Sequence, residues 1–157
     1  MTALQPIYRL LLVAICLSLL LVGCASGEIP TEADAEPVPL MIVCRVAYRS
    51  TVTVPIEEEA ELVFGGENDE QTLAFEDLTL HAQYLAGERP PRERSLRLAV
   101  VDSVSGQELG AQLYQLSLTE APRNEFRGGH GFTGLAYAYH PETGAELQYW
   151  CVAERDT

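Results

Sequence analysis

Residues 40 to 54 read LMIVCRVAYRSTVTV, and their side chains alternate between apolar and polar. Leu40, Ile42, Cys44, Val46, Tyr48, Val52 and Val54 fall on one side, with Arg45, Arg49, Thr51 and Thr53 on the other. Only a β-strand repeats every second residue, so this pattern predicts a long, half-buried strand with Cys44 on its core face.

Further strands follow from the same period. Ala60 to Phe64 is a short candidate closed by Gly65-Gly66. Leu73 and Phe75 share one parity while Leu78, Leu80, Ala82 and Tyr84 share the other, which predicts a bulge or short break at Glu76-Asp77. Ser95 to Asp102 and Glu108 to Leu118 alternate on either side of SVSGQ. Near the end, Leu135, Tyr137 and Tyr139, then HPETG, then Leu147, Tyr149 and Cys151 read as a hairpin. No segment beyond the first 25 residues shows a sustained helical period. Short strands broken by Gly and Pro turns predict an all-β, antiparallel sandwich or small barrel of about six to eight strands.

The beginning of the chain is of another kind. Met1 to Arg9 carries one arginine, and Leu10 to Gly23 is apolar apart from Ser18. A basic start, a short apolar core and small residues make a secretory leader, and fourteen apolar residues fall short of the roughly 20 a membrane-crossing helix needs. Leu21-Val22-Gly23-Cys24 resembles the lipobox of bacterial lipoproteins. The resemblance implies cleavage before Cys24 and a diacylglyceryl group on its sulfur, often with a further chain on its amine. One acyl chain binds a membrane only marginally, so stable anchoring takes more than one. Ala25, where an aspartate tends to retain such proteins at the inner membrane, implies an outer-membrane address in an organism that has one. Residues 24–39, with three prolines, several acids and no apolar periodicity, read as a tether. The expected organisation is thus a signal peptide at 1–23, a tether at 24–39 and one β domain at 40–157.

Export bears on the other cysteines. Cys16 leaves with the leader, and Cys44 and Cys151 remain, one near each end of the domain. In an oxidising compartment an even remainder predicts a disulfide between the first and last strands. Its 107-residue separation gives about 4 to 5 kcal/mol as an upper figure in the chain-entropy account. Two buried thiols or a metal pair are the alternatives, with no CxxC or Cys/His spacing to support zinc.

Charge restricts the partners. The chain has 23 acidic and 10 basic residues, all of the latter arginines, for a net charge of −13. Such a balance opposes phosphate backbones, so nucleic acid is not an expected partner. Against this background ERPPRERSLR gathers Arg89, Arg92, Arg94 and Arg97. An exposed cluster of guanidinium forks would hold carboxylates or phosphates, whereas the interleaved Glu88 and Glu93 favour local ion pairing.

No pattern of catalytic residues stands out. His130 lies in GGHGFTG, His140 opens the hairpin turn and His81 sits within a strand, without HxH, HExxH or a neighbouring cysteine. The glycines suit turns better than a phosphate cradle, since no helix follows them. EEEAE reads as a solvated turn or a guarded strand edge, and GGENDEQ lacks the residue order of an EF-hand. Tyr137, Tyr139, Tyr149 and Trp150 cluster in the final hairpin, and Trp150 alternates with Cys151, so a core cysteine puts the indole on the outer face, where an aromatic patch suits protein or sugar contact. A sandwich whose second sheet covered Trp150 would remove that surface. The function expected is a lipid-anchored, extracytoplasmic domain that binds a protein or glycan without catalysis, metal or cofactor, with Arg89, Arg92, Arg94, Arg97, His130 and Trp150 as its candidate surface. Two readings stay open beside it: a metal-dependent enzyme or metal carrier using His130, His140 and nearby acids, and a structural component of the cell envelope.

Overall fold

A computed structural model describes residues 38–65, 68–86, 94–125 and 128–154. The expected leader, Cys24, most of the expected tether, Arg89 and Arg92 lie outside the described residues. Eight strands follow in order: β1 (Met41–Arg49), β2 (Glu58–Gly65), β3 (Asp69–Ala74), β4 (Leu78–Ala86), β5 (Arg94–Asp102), β6 (Glu108–Leu116), β7 (Ala136–Tyr139) and β8 (Glu146–Glu154). They form two antiparallel four-stranded sheets, β2-β1-β8-β7 and β3-β4-β5-β6. Two separate sheets with facing apolar sides make a sandwich, not a barrel.

The alternation decides which sides face. Ile42, Cys44, Val46 and Tyr48 of β1, Leu62 and Phe64 of β2, and Leu147, Tyr149 and Cys151 of β8 point inward from the first sheet. They meet Leu78, Leu80, Ala82 and Tyr84 of β4 and Leu96, Leu98 and Val100 of β5. Phe64 tilts against Tyr84 at 6.1 Å between ring centres, and Tyr48 stacks on Phe75 at 4.9 Å. Each fully buried side chain of this size contributes about 1.5 to 3 kcal/mol.

Cys44 and Cys151 face each other directly in the β1/β8 register, with Cα atoms 4.0 Å apart, and are disulfide-bonded. The backbone N–H and C=O of Cys151 are used on the strand's other side, so this is the closer, non-hydrogen-bonded kind of antiparallel pair. The bridge joins neighbouring strands of one sheet and is fully buried.

The structure corrects two expectations. The first strand stops at Arg49, and Val52, 49% exposed, lies in a turn that closes where the Glu57 N–H donates to the Tyr48 carbonyl. Thr51 Oγ1 accepts from the Thr53 N–H, a side-chain turn that β-branched spacing alone does not reveal. The parity switch at Glu76-Asp77 is a chain reversal between β3 and β4, where a bulge or break was expected. In their register Leu73 faces Leu80 and Gln71 faces Ala82, so an odd position always meets an even one. A hairpin of this register must switch parity, and the Phe75 N–H closes it on the Leu78 carbonyl. The irregularity of the second sheet lies instead at Val100/Val101, where Gly110 and Glu108 are the successive partners.

The last long connection finishes a sheet edge. β7 covers only the first half of β8, from Glu146 to Tyr149. Beyond it, the Phe132 N–H donates to the Cys151 carbonyl and Thr133 Oγ1 accepts from the Cys151 N–H. Asn124 then bonds both the N–H and the C=O of Ala153, at 2.8 and 2.7 Å, as a neighbouring strand would. Gly131, at φ 64°, lies so close that a Cβ there would run into the Cys151 carbonyl. That contact explains one glycine of GGHGFTG without any ligand.

Gly131→Ala should therefore lower stability by more than about 1 kcal/mol, measured by denaturant unfolding, because both its conformation and its space exclude a methyl group. Reducing the Cys44–Cys151 bond should cost about 2 to 5 kcal/mol in the same assay, and mass under non-reducing conditions should show both thiols oxidised.

Candidate functional site

The second sheet packs on the Cys151 side, so it leaves the opposite side of the first sheet open. On that outer face Trp150 of β8 lies beside Arg45 of β1, its register partner. Arg45 Nε donates to Glu61 Oε1 at 3.0 Å across to β2, with both side chains more than half exposed. An exposed pair of this kind contributes at most about 1 kcal/mol, so its groups remain available to a ligand. Arg45, Ala47, Glu59, Glu61 and Trp150 line an open concavity of about 550 Å³.

Aromatic rings extend the surface in both directions. His130, at the end of the loop that docks on β8, meets Trp150 edge to face at 5.2 Å. Toward the other end, Tyr137 and Tyr139 of β7 lie nearly parallel at 6.3 Å and are 49% and 52% exposed. Tyr149, in the same hairpin, points inward and is core. The face thus carries flat apolar rings next to carboxylates and a guanidinium, which suits polar ligands with apolar patches.

One buried ion pair supports it. Arg49 Nη2 donates to Glu146 at 2.8 Å, and Gln148 Nε2 donates to Glu146 Oε1 at 2.5 Å. Burial pushes the Glu146 carboxyl up, but the bonds from Arg49 and Gln148 more than offset this and hold it below its ordinary range. Burial and the neighbouring Glu146 raise the Tyr139 hydroxyl, which stays protonated.

The arginines of the 89–97 stretch do not share a surface where they are described. Arg94 is 5% exposed and is spent on the backbone, donating from Nη2 to the Val38 carbonyl at 2.8 Å and from Nη1 to that of Ser117. Arg97 has the opposite parity and pairs with Glu108 at 2.6 Å on the outer side of the second sheet. As a surface ligand Arg94 is thus corrected to an internal clamp, made by its place in an inward-facing register. Its partner Val38, which also donates to the Leu118 carbonyl, fastens the segment just before β1 to the chain just after β6.

The three histidines occupy different places. His81 bonds Thr72 at 3.1 Å across β3 and β4, on the outer side of the second sheet. His140 is buried between the turns that follow β5 and β7, a role its sequence context did not disclose. Its Nδ1 accepts from the N–H groups of Glu142 and Thr143, so the ring proton sits on Nε2 and is donated to Asp102 Oδ2 at 2.8 Å. Asp102 also accepts from Val104 and Ser105 through Oδ1. The Ser105 bond first, then His140, hold its carboxyl far below the usual range despite partial burial. This resembles a histidine–carboxylate pair in which both groups are occupied by structure: it ties one sheet's turn to the other's. Among the described residues no group of three or more His, Cys, Asp or Glu side chains is placed to hold a metal ion.

No protein-family model matches the chain. No curated protein and no solved structure is significantly similar to it either.

The Asp102 shift makes a prediction about acid. Its folded-state pKa lies below its ordinary value of 3.8, so the stability it supplies is present above that value and lost as the pH falls through and below it. Thermal unfolding of the wild type should weaken steeply below about pH 4, and Asp102→Asn should be less stable at neutral pH with a shallower acid limb.

Proposed function

We propose that this protein is a non-catalytic binding domain, held outside the cytoplasm by a lipid on Cys24, whose partner surface is the outer face of the β2-β1-β8-β7 sheet. The observation that carries the reading is Trp150, which lies on the sheet face opposite the core, beside Arg45, Glu59 and Glu61. An aromatic ring kept partly in water, flanked by donors and acceptors, supplies contact area at low entropic cost. A protein or a glycan of the cell envelope fits this chemistry, because the acidic background disfavours nucleic acid. The lipobox-like Leu21-Val22-Gly23-Cys24 supports the anchor, and Ala25 supports an outer-membrane address where there is one.

The surface is tested by crosslinking the full chain in native membranes. Trp150→Ala should reduce capture of the partner by about 2 kcal/mol, or roughly thirtyfold, with the thermal unfolding midpoint unchanged. Undiminished capture by the folded variant would refute this face. For the anchor, Cys24→Ser should abolish labelling by a radioactive fatty acid, and persistent labelling would overturn it.

A further inference from the structure

A four-on-four sandwich has four edge strands, and an edge with free N–H and C=O groups invites pairing unless something blocks it. Three of these edges are blocked. β2 carries Glu58, Glu59 and Glu61, and Gln71 Nε2 covers its Val63 carbonyl at 2.7 Å. β3 is six residues long and begins with Asp69 and Glu70. β7 is four residues long, and the sheet edge beyond it is covered by Asn124, Phe132 and Thr133.

β6 is different. It runs nine residues, and Gly110, Ala111, Gln112 and Leu113 are all exposed in succession, on both faces of the strand. From Leu109 to Thr119 there is no charged residue, in a chain where 21% are charged. The one charge of the strand, Glu108, is engaged by Arg97. Leu113, next to its centre, is 60% exposed.

We propose that β6 pairs antiparallel with β6 of a second copy, about a two-fold axis through Leu113, joining two four-stranded sheets into one of eight. The sequence fits that operation. On the outer side Leu113 meets its own copy and Ala111 meets Gln115. On the inner side Gln112 meets Tyr114 and Gly110 meets Leu116, so no charge faces a charge. Both copies carry a large negative net charge, which pushes them apart, and the uncharged strand is where they approach at the lowest electrostatic cost. A pair of nine-residue edges buries less than the roughly 1,000 Å² of a durable interface, so the dimer is transient and strengthened by salt, which screens the net charge.

The test is cysteine crosslinking of the full chain under mild oxidation. Leu113→Cys should form a disulfide-linked homodimer, with a yield roughly tenfold or more above that of Val104→Cys, an exposed control in the neighbouring turn, since only facing thiols lie within disulfide reach. In the Leu113→Cys background, A111E with Q115E sets like charges opposite each other and should suppress the dimer, whereas A111K with Q115E should restore it. Equal yields at positions 113 and 104, or no response to the charge pairs, would overturn the proposal. So would crosslinking of Leu113→Cys to a different protein in place of its copy, which would make β6 a docking edge for another chain's strand.

Discussion

The pairing of β1 with β8 is the constraint on which the rest of the molecule depends. These are the first and last strands, and they lie side by side in the middle of their sheet with Cys44 bonded to Cys151. The other sheet is a meander, β3-β4-β5-β6 in sequence order, whose hairpins close over short distances. Local pairings form at low entropic cost, while bringing the two ends of the chain together does not. The disulfide removes part of that cost from the unfolded chain. It also acts where the sheet has no local alternative: β2 and β7 each reach the first sheet only by pairing with β1 or β8.

This arrangement explains what the sequence disclosed and what it hid. A buried strand with a period of two announces its face, so Cys44 and Cys151 could be placed inside and Trp150 outside from alternation alone, whereas Tyr149, grouped with the surface aromatics, belongs to the core. Val52 and Val54 kept the same period in a turn, because β-branched residues also occupy side-chain turns such as the one Thr51 makes with the Thr53 N–H. The Leu73 to Leu78 parity switch was visible, but a hairpin and a bulge both produce one, and the register separates them only once the partners are known. Asn124, Arg94 and His140 were beyond reach for a common reason. Each acts on backbone groups or side chains far along the chain, Ala153, Val38 and Asp102 respectively, and a lone polar residue carries no period to betray its partner.

The two outer faces have different construction, which bears on why one of them is the proposed binding face. On the β3-β4-β5-β6 side the polar contacts are exposed pairs, Arg97 with Glu108 and Thr72 with His81, of the sort any solvated sheet carries. On the other side the sheet holds a fully buried carboxylate, Glu146, although it lies outside the core. Burying an ion pair costs desolvation that its attraction barely repays, and apolar residues of the same volume would serve stability as well. What the pair supplies is position: Glu146 draws together Arg49, Gln148 and Tyr139, one from each of the three adjacent strands β1, β8 and β7.

That fixed geometry is what a recognition surface requires, since rings ordered before binding do not have to be ordered during it. Tyr139 is held by Glu146 and stacks on Tyr137, and Trp150 is held edge-on by His130, itself carried by a loop locked onto β8 through Gly131. The same edge-capping that seals β8 thus sets the indole's neighbour. A face built only to keep the domain soluble would need charge and no such order, whereas this one spends a buried ion pair and a docked loop on the orientation of four rings.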